Sequence, residues 1–139
     1  MRWSGAVVAV VLAGAMLPAG YAGEEVTTIT ISAQEFTFAP SKLTVHVGQP
    51  VRIVFSNRGT VNHEFVSPIL KAAKDVEVSS QGVTVEGEEI GEVNFAKGKV
   101  AALEMTPTKT GTFQFWCAET TGGKSHRDLG MHGTITVVR

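Results

Sequence analysis

A chain of 139 residues carrying 12 Lys+Arg against 13 Asp+Glu is the length of one domain, and its near-balance of charge excludes a nucleic-acid binder steered by a basic face. At 43% apolar and 18% charged residues it can bury a core of ordinary size and lacks the composition of a disordered tail.

The N-terminus reads as a secretory signal peptide: Met1-Arg2 gives the positive end, Ala6 to Leu17 (AVVAVVLAGAML) the apolar run, and Gly20-Tyr21-Ala22 the small-residue cleavage site. The run is shorter than the ~20 residues that a membrane-spanning helix requires. The expected organisation is therefore a signal peptide at 1–22 and one domain at 23–139, with the formal charge going from −1 to −2 as Arg2 leaves. No Cys lies near the cleavage site, so a lipid anchor is not indicated, and the mature chain is expected to be periplasmic or secreted with no membrane span.

Along the mature chain, short segments alternate apolar and polar residues: Val26 to Ile31, Leu43 to Val47, Val51 to Phe55, Val100 to Met105, Phe113 to Cys117 and Thr134 to Val138. Period two predicts half-buried strands. Turn residues separate them at Ala39-Pro40-Ser41, Gly48-Gln49-Pro50, Asn57-Arg58-Gly59 and Lys109-Thr110-Gly111. Pro68 to Asp75 (PILKAAKD) is the nearest approach to a helix, two turns at most in a crossing loop. The predicted fold is all-β, a Greek-key β-sandwich with a short helix or irregular crossing loop.

Strand phase decides which side chains face inward. Leu43, Val45 and Val47 point to the core and turn His46 outward; Phe113, Phe115 and Cys117 point inward and place Cys117 at one pole of the sandwich. After it comes a Gly-rich polar loop, Ala118 to Met131 (AETTGGKSHRDLGM), of the kind that carries function on a rigid scaffold. Cys117 is the single cysteine, and in an exported chain it has no intrachain disulfide partner.

Thiolate, two imidazoles and a thioether form the His2Cys copper site with a weak axial Met. The candidates are Cys117, His126 and Met131 in the closing loop and His63 after the turn Asn57 to Asn62. Soft sulfur suits Cu(I) and imidazole suits Cu(II), so one copper ion could be held in both states. His132, the rival of His126, has a strand phase that points it away from the core, and His46 is expected on the surface.

The mature chain resembles the cupredoxins. Phe36-Thr37-Phe38-Ala39-Pro40-Ser41-Lys42-Leu43-Thr44-Val45-His46-Val47-Gly48 is similar to the family's opening pattern, Thr106 to Cys117 to its strand before the copper cysteine, and His126-Arg127-Asp128-Leu129-Gly130-Met131 to its closing "H-x-x-x-G-M". Eight residues separate Cys117 from His126, where blue-copper proteins usually have two to four. In this the loop resembles the CuA domain of cytochrome c oxidase subunit II, as does His63-Glu64-Phe65-Val66-Ser67-Pro68. That family's second bridging cysteine would fall at Thr121, and a hydroxyl is a poor copper bridge, so one copper is expected. Glu64 stands where many blue-copper proteins have an Asn that tethers the cysteine loop, so that tether is expected to come from elsewhere.

The resemblance implies a mononuclear, non-enzymatic copper protein, a one-electron carrier with His63, Cys117 and His126 in plane and Met131 axial. Phe65, Phe115 and Leu129 would exclude water, and the edge of His126 would face solvent as the electron port. A monomer is expected, with a transient redox-protein partner such as a cytochrome or oxidase. The alternative is a periplasmic copper-binding or copper-delivery protein using the same four residues. The acidic stretch Glu86, Glu88, Glu89 and Glu92 is read as a solvated loop.

Overall fold

Alternating side chains make a strand wherever one face can be covered, and the order in which these strands find neighbours builds two sheets. The computed structural model describes residues 23–139 except Gly82, Glu88 and the side chains of Val83 and Thr84. The expected leader at 1–22 lies outside the described residues, as does Glu88 of the acidic stretch. In chain order the elements are β1 (Thr27–Gln34), β2 (Thr37–Ala39), β3 (Lys42–His46), β4 (Val51–Asn57) and β5 (His63–Val66). A 3-10 helix (Pro68–Ala72) leads into β6 (Ala73–Ser80), β7 (Val83–Glu86), β8 (Glu92–Phe95), β9 (Val100–Pro107) and β10 (Gly111–Trp116). The chain closes with β11 (Thr120–Thr121), β12 (Lys124–Ser125) and β13 (His132–Val138).

One sheet has the order β2-β1-β4-β9-β6-β7 and the other β3-β13-β10-β5-β8. β1 runs parallel to β4, and β3 parallel to β13; the crossovers these pairs require make the all-β Greek-key sandwich that was expected. Among the described residues no helix is long and apolar enough to cross a membrane.

All six predicted strands form, several of them longer than the alternation suggested. Two readings need correction. Only Pro68–Ala72 is helical, and as a 3-10 turn: Ser67 Oγ accepts the Ile69 N–H at 3.3 Å and Ala73 onward is already strand, because β6 pairs with β9. The acidic stretch is not simply a loop, since Glu86 ends β7 and Glu92 begins β8.

The core between the sheets is aromatic at its centre. Phe55 stacks on Phe95 with centroids 5.0 Å apart, touches Phe65 at the same distance, and Phe65 in turn meets Phe115 at 5.3 Å. Phe38 closes on the edge of Phe115 at 5.2 Å. Such pairs add to the area they bury, and they form a rigid apolar floor. Gly133 is a glycine because its neighbours leave no room: a Cβ there would overlap the Ser41 carbonyl and the Phe115 ring. That close approach lets Thr134 N–H reach Ser41 O at 2.8 Å and start the β3–β13 pairing.

Candidate metal centre

His63 opens β5, and the segment before it is held by Asn57, a buried amide at the end of β4. Its Nδ2 donates to the carbonyls of Val61 and Phe95 at 2.9 and 3.0 Å, and its Oδ1 accepts the Gly59 N–H at 2.9 Å. One side chain thus spends three hydrogen bonds on the loop that aims His63. On the other side of the centre, the eight residues between Cys117 and His126 are not an open loop. They fold as the β11–β12 hairpin, turning at Gly122 and Gly123 with φ of +60 and +77°, the positive pair that a two-residue type I′ connection requires.

That hairpin is fastened to the centre by main-chain bonds. His126 N–H donates to Glu119 O at 2.7 Å and Arg127 N–H to Cys117 O at 3.0 Å. Cys117 N–H donates to Met131 O at 3.1 Å, and Met131 N–H to His126 O at 2.9 Å. Gly130 makes the preceding turn at φ +112°, a conformation that L side chains rarely adopt.

Three of the four predicted ligands converge. His63 Nδ1 lies 3.2 Å from His126 Nδ1, and Cys117 Sγ lies 3.4 Å from His126 Nδ1 and 3.9 Å from His63 Nδ1. A triangle of those sides has a circumradius of about 2 Å, the length of a metal–nitrogen bond and a little short of a metal–thiolate bond in protein sites. Among the described residues, His63, Cys117 and His126 form the one cluster of this kind, and all three are buried, as is Met131. Two ring nitrogens facing each other at 3.2 Å, beside a thiol, is a donor set that fits a soft or borderline transition metal. The main chain of Met131 bonds to both Cys117 and His126, which sets the residue beside the cluster.

Burial sets the protonation. It pushes the Cys117 thiol above its ordinary range, and the carboxylates of Glu64 and Glu119 push the same way against two main-chain N–H groups, of Glu64 and Glu119, that favour the thiolate. The Glu64 N–H reaches Sγ at 3.3 Å. Burial pulls His63 below the usual imidazole range, helped by His126 and opposed by Glu35 and Glu119, and it lowers His126 against the same two carboxylates. Two neutral imidazoles are ready ligands, whereas the thiol must lose its proton to become one.

Several expectations change. The edge of His126 does not face solvent: the residue is 1% exposed, Thr121 Oγ1 lies 2.8 Å from its Nε2, and the half-buried Phe36 ring covers it at a centroid distance of 4.7 Å. The hairpin that lengthens the loop is what buries it. Thr121, where the CuA resemblance would put a second cysteine, is a hydrogen-bond neighbour of the histidine. Phe65 and Phe115 are fully buried, but Leu129 is 37% exposed, and Phe36 takes its part in shielding the centre. Glu64 meets the cysteine loop through its main chain, its N–H reaching Cys117 Sγ at 3.3 Å, while burial, with Glu92 and Glu119, raises its carboxyl against the opposing influence of the Ala118 N–H. His46 and His132 are exposed as expected, and Trp116 carries the Arg127 guanidinium on its face at 4.4 Å.

Glu35 and Asn57 were not singled out by the sequence reading. No local pattern marks Glu35, whose carboxylate reaches the centre across a β-hairpin, but a polar residue closing β4 in a core phase was a signal for Asn57. Glu119 lines a cleft of about 430 Å³ with His63, Asn62 and Phe95; its carbonyl accepts the His126 N–H, and its carboxylate acts on the cluster by charge.

Comparison with known proteins agrees with this geometry. The family model of the Cupredoxin-like domain matches residues 5–98, a span that includes His63 and stops before Cys117. The chain is 30% identical over 100 residues to plastocyanin A/B of Petroselinum crispum, covering 72% of this chain and 86% of that protein. It is 27% identical over 121 residues to the copper-resistant cuproprotein CopI of Rubrivivax gelatinosus, covering 86% and 71%. The reduced auracyanin of Roseiflexus castenholzii superimposes with a TM-score of 0.56 at 21% identity, over 81% of this chain and 98% of that one. The chain, with its two-sheet sandwich and its buried His-Cys-His cluster at one pole, belongs to the cupredoxin-like family.

Proposed function

We propose that this protein is an exported redox carrier whose own residues hold one copper ion and pass one electron at a time. On this reading His63 Nδ1, His126 Nδ1 and Cys117 Sγ would hold the ion, with the thioether of Met131 as a further donor. The observation that carries it is the triangle of 3.2, 3.4 and 3.9 Å formed by those three atoms within a closed apolar setting. Copper supplies the Cu(I)/Cu(II) couple when bound; the chain supplies rigidity and dryness. The aromatic floor and the cross-bonded closing loop keep the donors nearly fixed, so little must reorganise when charge changes. Glu64 N–H on Sγ favours the thiolate over the thiol. A redox partner would meet Phe36 and the β11–β12 hairpin rather than the imidazole itself, through a small transient interface. The leader at 1–22 supports a periplasmic or secreted location.

Copper delivery is the second reading, favoured by the similarity to CopI. Full burial of the donors argues for slow metal loss and hence for the carrier. The test is to load the purified protein with one equivalent of Cu(II) and record visible and EPR spectra. An intense thiolate-to-copper band is expected, absent in Cys117→Ser, perturbed in His126→Ala and unchanged in His132→Ala. Cu(I) binding without a stable Cu(II) form, or rapid Cu(I) transfer to a chelator, would replace the carrier reading with delivery.

A further inference from the structure

The two imidazoles of the centre are each gripped from outside by a different kind of group. His126 has a hydroxyl, Thr121 Oγ1, at 2.8 Å from Nε2. His63 has a carboxylate: Glu35 Oε1 lies 3.3 Å from its Nε2. That nitrogen is fully buried and no group meets full hydrogen-bond geometry with it; the Glu35 carboxylate is the polar group facing it, at ion-pair distance. An imidazole N–H left without an acceptor in the interior is destabilising, so the carboxylate facing it is significant.

Glu35 is placed there deliberately by its surroundings. It sits with Phe36 between β1 and β2, and the same turn lays the Phe36 ring on His126. Glu35 Oε1 accepts the N–H groups of Thr60 and Val61 at 2.8 and 3.1 Å, in the segment that leads into His63. Gly59 leaves the space it occupies, since a Cβ on that residue would collide with the carboxylate. Three separate features therefore hold one oxygen beside His63 Nε2.

We propose that Glu35 is a positioning residue of the metal centre. It accepts the Nε2–H of His63 and so fixes the tautomer that leaves the Nδ1 lone pair for the metal. As an anion behind the ring, it also makes His63 a stronger donor to the more highly charged metal state. This inference rests on the copper reading above and adds an asymmetry to it: one histidine backed by a carboxylate, the other by a neutral hydroxyl. Acceptors behind ligating histidines typically matter by about 10–100-fold in metal affinity.

The test compares unaltered protein, Glu35→Gln and Gly59→Ala, each loaded with copper. Glu35→Gln keeps an oxygen for Thr60 and Val61 but removes the charge; Gly59→Ala pushes the carboxylate away while leaving every ligand in place. Cu(II) and Cu(I) affinities are measured by chelator competition and the reduction potential by voltammetry. Both variants are expected to lose Cu(II) affinity about 10–100-fold and Cu(I) affinity less, raising the potential by about 59 mV for each tenfold change in the ratio. An unchanged ratio and potential in both variants overturn the assignment, even where urea unfolding shows lost stability, because a purely structural Glu35 would move only the latter. If the unaltered protein has no thiolate-to-copper band, it is the copper reading that fails, and the proposal falls with it.

Discussion

Asn57→Ala probes whether the segment before His63 is held as described. The side chain is 3% exposed and makes three hydrogen bonds, two to carbonyls and one from the Gly59 N–H. At about 1 kcal/mol net for each, their loss costs about 3 kcal/mol, and the Phe95 carbonyl, whose bond to Asn57 is buried, keeps the value from falling much lower. That is a large share of the ~5–15 kcal/mol by which a domain is stable. Urea unfolding of the metal-free protein measures it: the midpoint should fall while the slope stays constant. Because the loop also carries Thr60 and Val61 to Glu35, the variant should bind copper more weakly than its stability alone accounts for. A loss below about 0.5 kcal/mol, the range of an ordinary surface substitution, would refute the claim that this amide organises the loop.

Gly133→Ala forces a methyl group against the Ser41 carbonyl and the Phe115 ring; overpacking of this kind costs about 1–3 kcal/mol, and differential scanning calorimetry should show a lowered Tm. The metal-free protein should also lose stability as pH falls from 7 toward 5.5. Burial lowers both His63 and His126, so the unfolded chain, with imidazoles near 6.5, binds protons that the folded chain refuses, and stability falls by at most about 1.4 kcal/mol per pH unit for each histidine. Urea midpoints across that range that stay flat would contradict the burial of neutral imidazoles.

The strand phases were legible because each alternates a single apolar face: Leu43 and Val45 are buried and His46 exposed, as the pattern requires. The convergence of His63, Cys117 and His126 was legible from chemistry, since a lone thiol followed by imidazole and thioether, in a chain expected to be exported, has few other uses. The burial of His126 was not read, because AETTGGKS is polar in composition and composition alone says loop. Its Gly122-Gly123 pair was nonetheless a hairpin signal, and recognising it would have closed the lid over the histidine. β6 and β8 were obscured by charge: Lys74, Asp75, Glu77 and Glu92 interrupt their alternation, and it is pairing with β9 and β5 respectively that makes them strands. Glu35 lay beyond reach, since its contact with His63 spans 28 positions and depends on where a turn points one side chain.

The closed centre has a cost that explains its second layer of contacts. Two neutral imidazoles and a thiol whose pKa is pushed up by burial are polar groups withdrawn from water, and His63 Nε2 has no hydrogen-bond partner of full geometry. The fold answers with groups that suit the loaded state: a main-chain N–H aimed at sulfur, a carboxylate behind one ring and a hydroxyl behind the other. These contacts hold the donors in place before any ion arrives, so binding need not first order the loop. On the copper reading, the same arrangement links occupancy to stability. A ligand at 1,000 times its dissociation constant stabilises the folded chain by about 4.1 kcal/mol, enough to offset the loss of the whole Asn57 network. The residues that shape the site and those that stabilise the pole of the sandwich are therefore largely the same, and a substitution at either Glu35 or Asn57 should be partly masked by saturating metal and exposed by its removal.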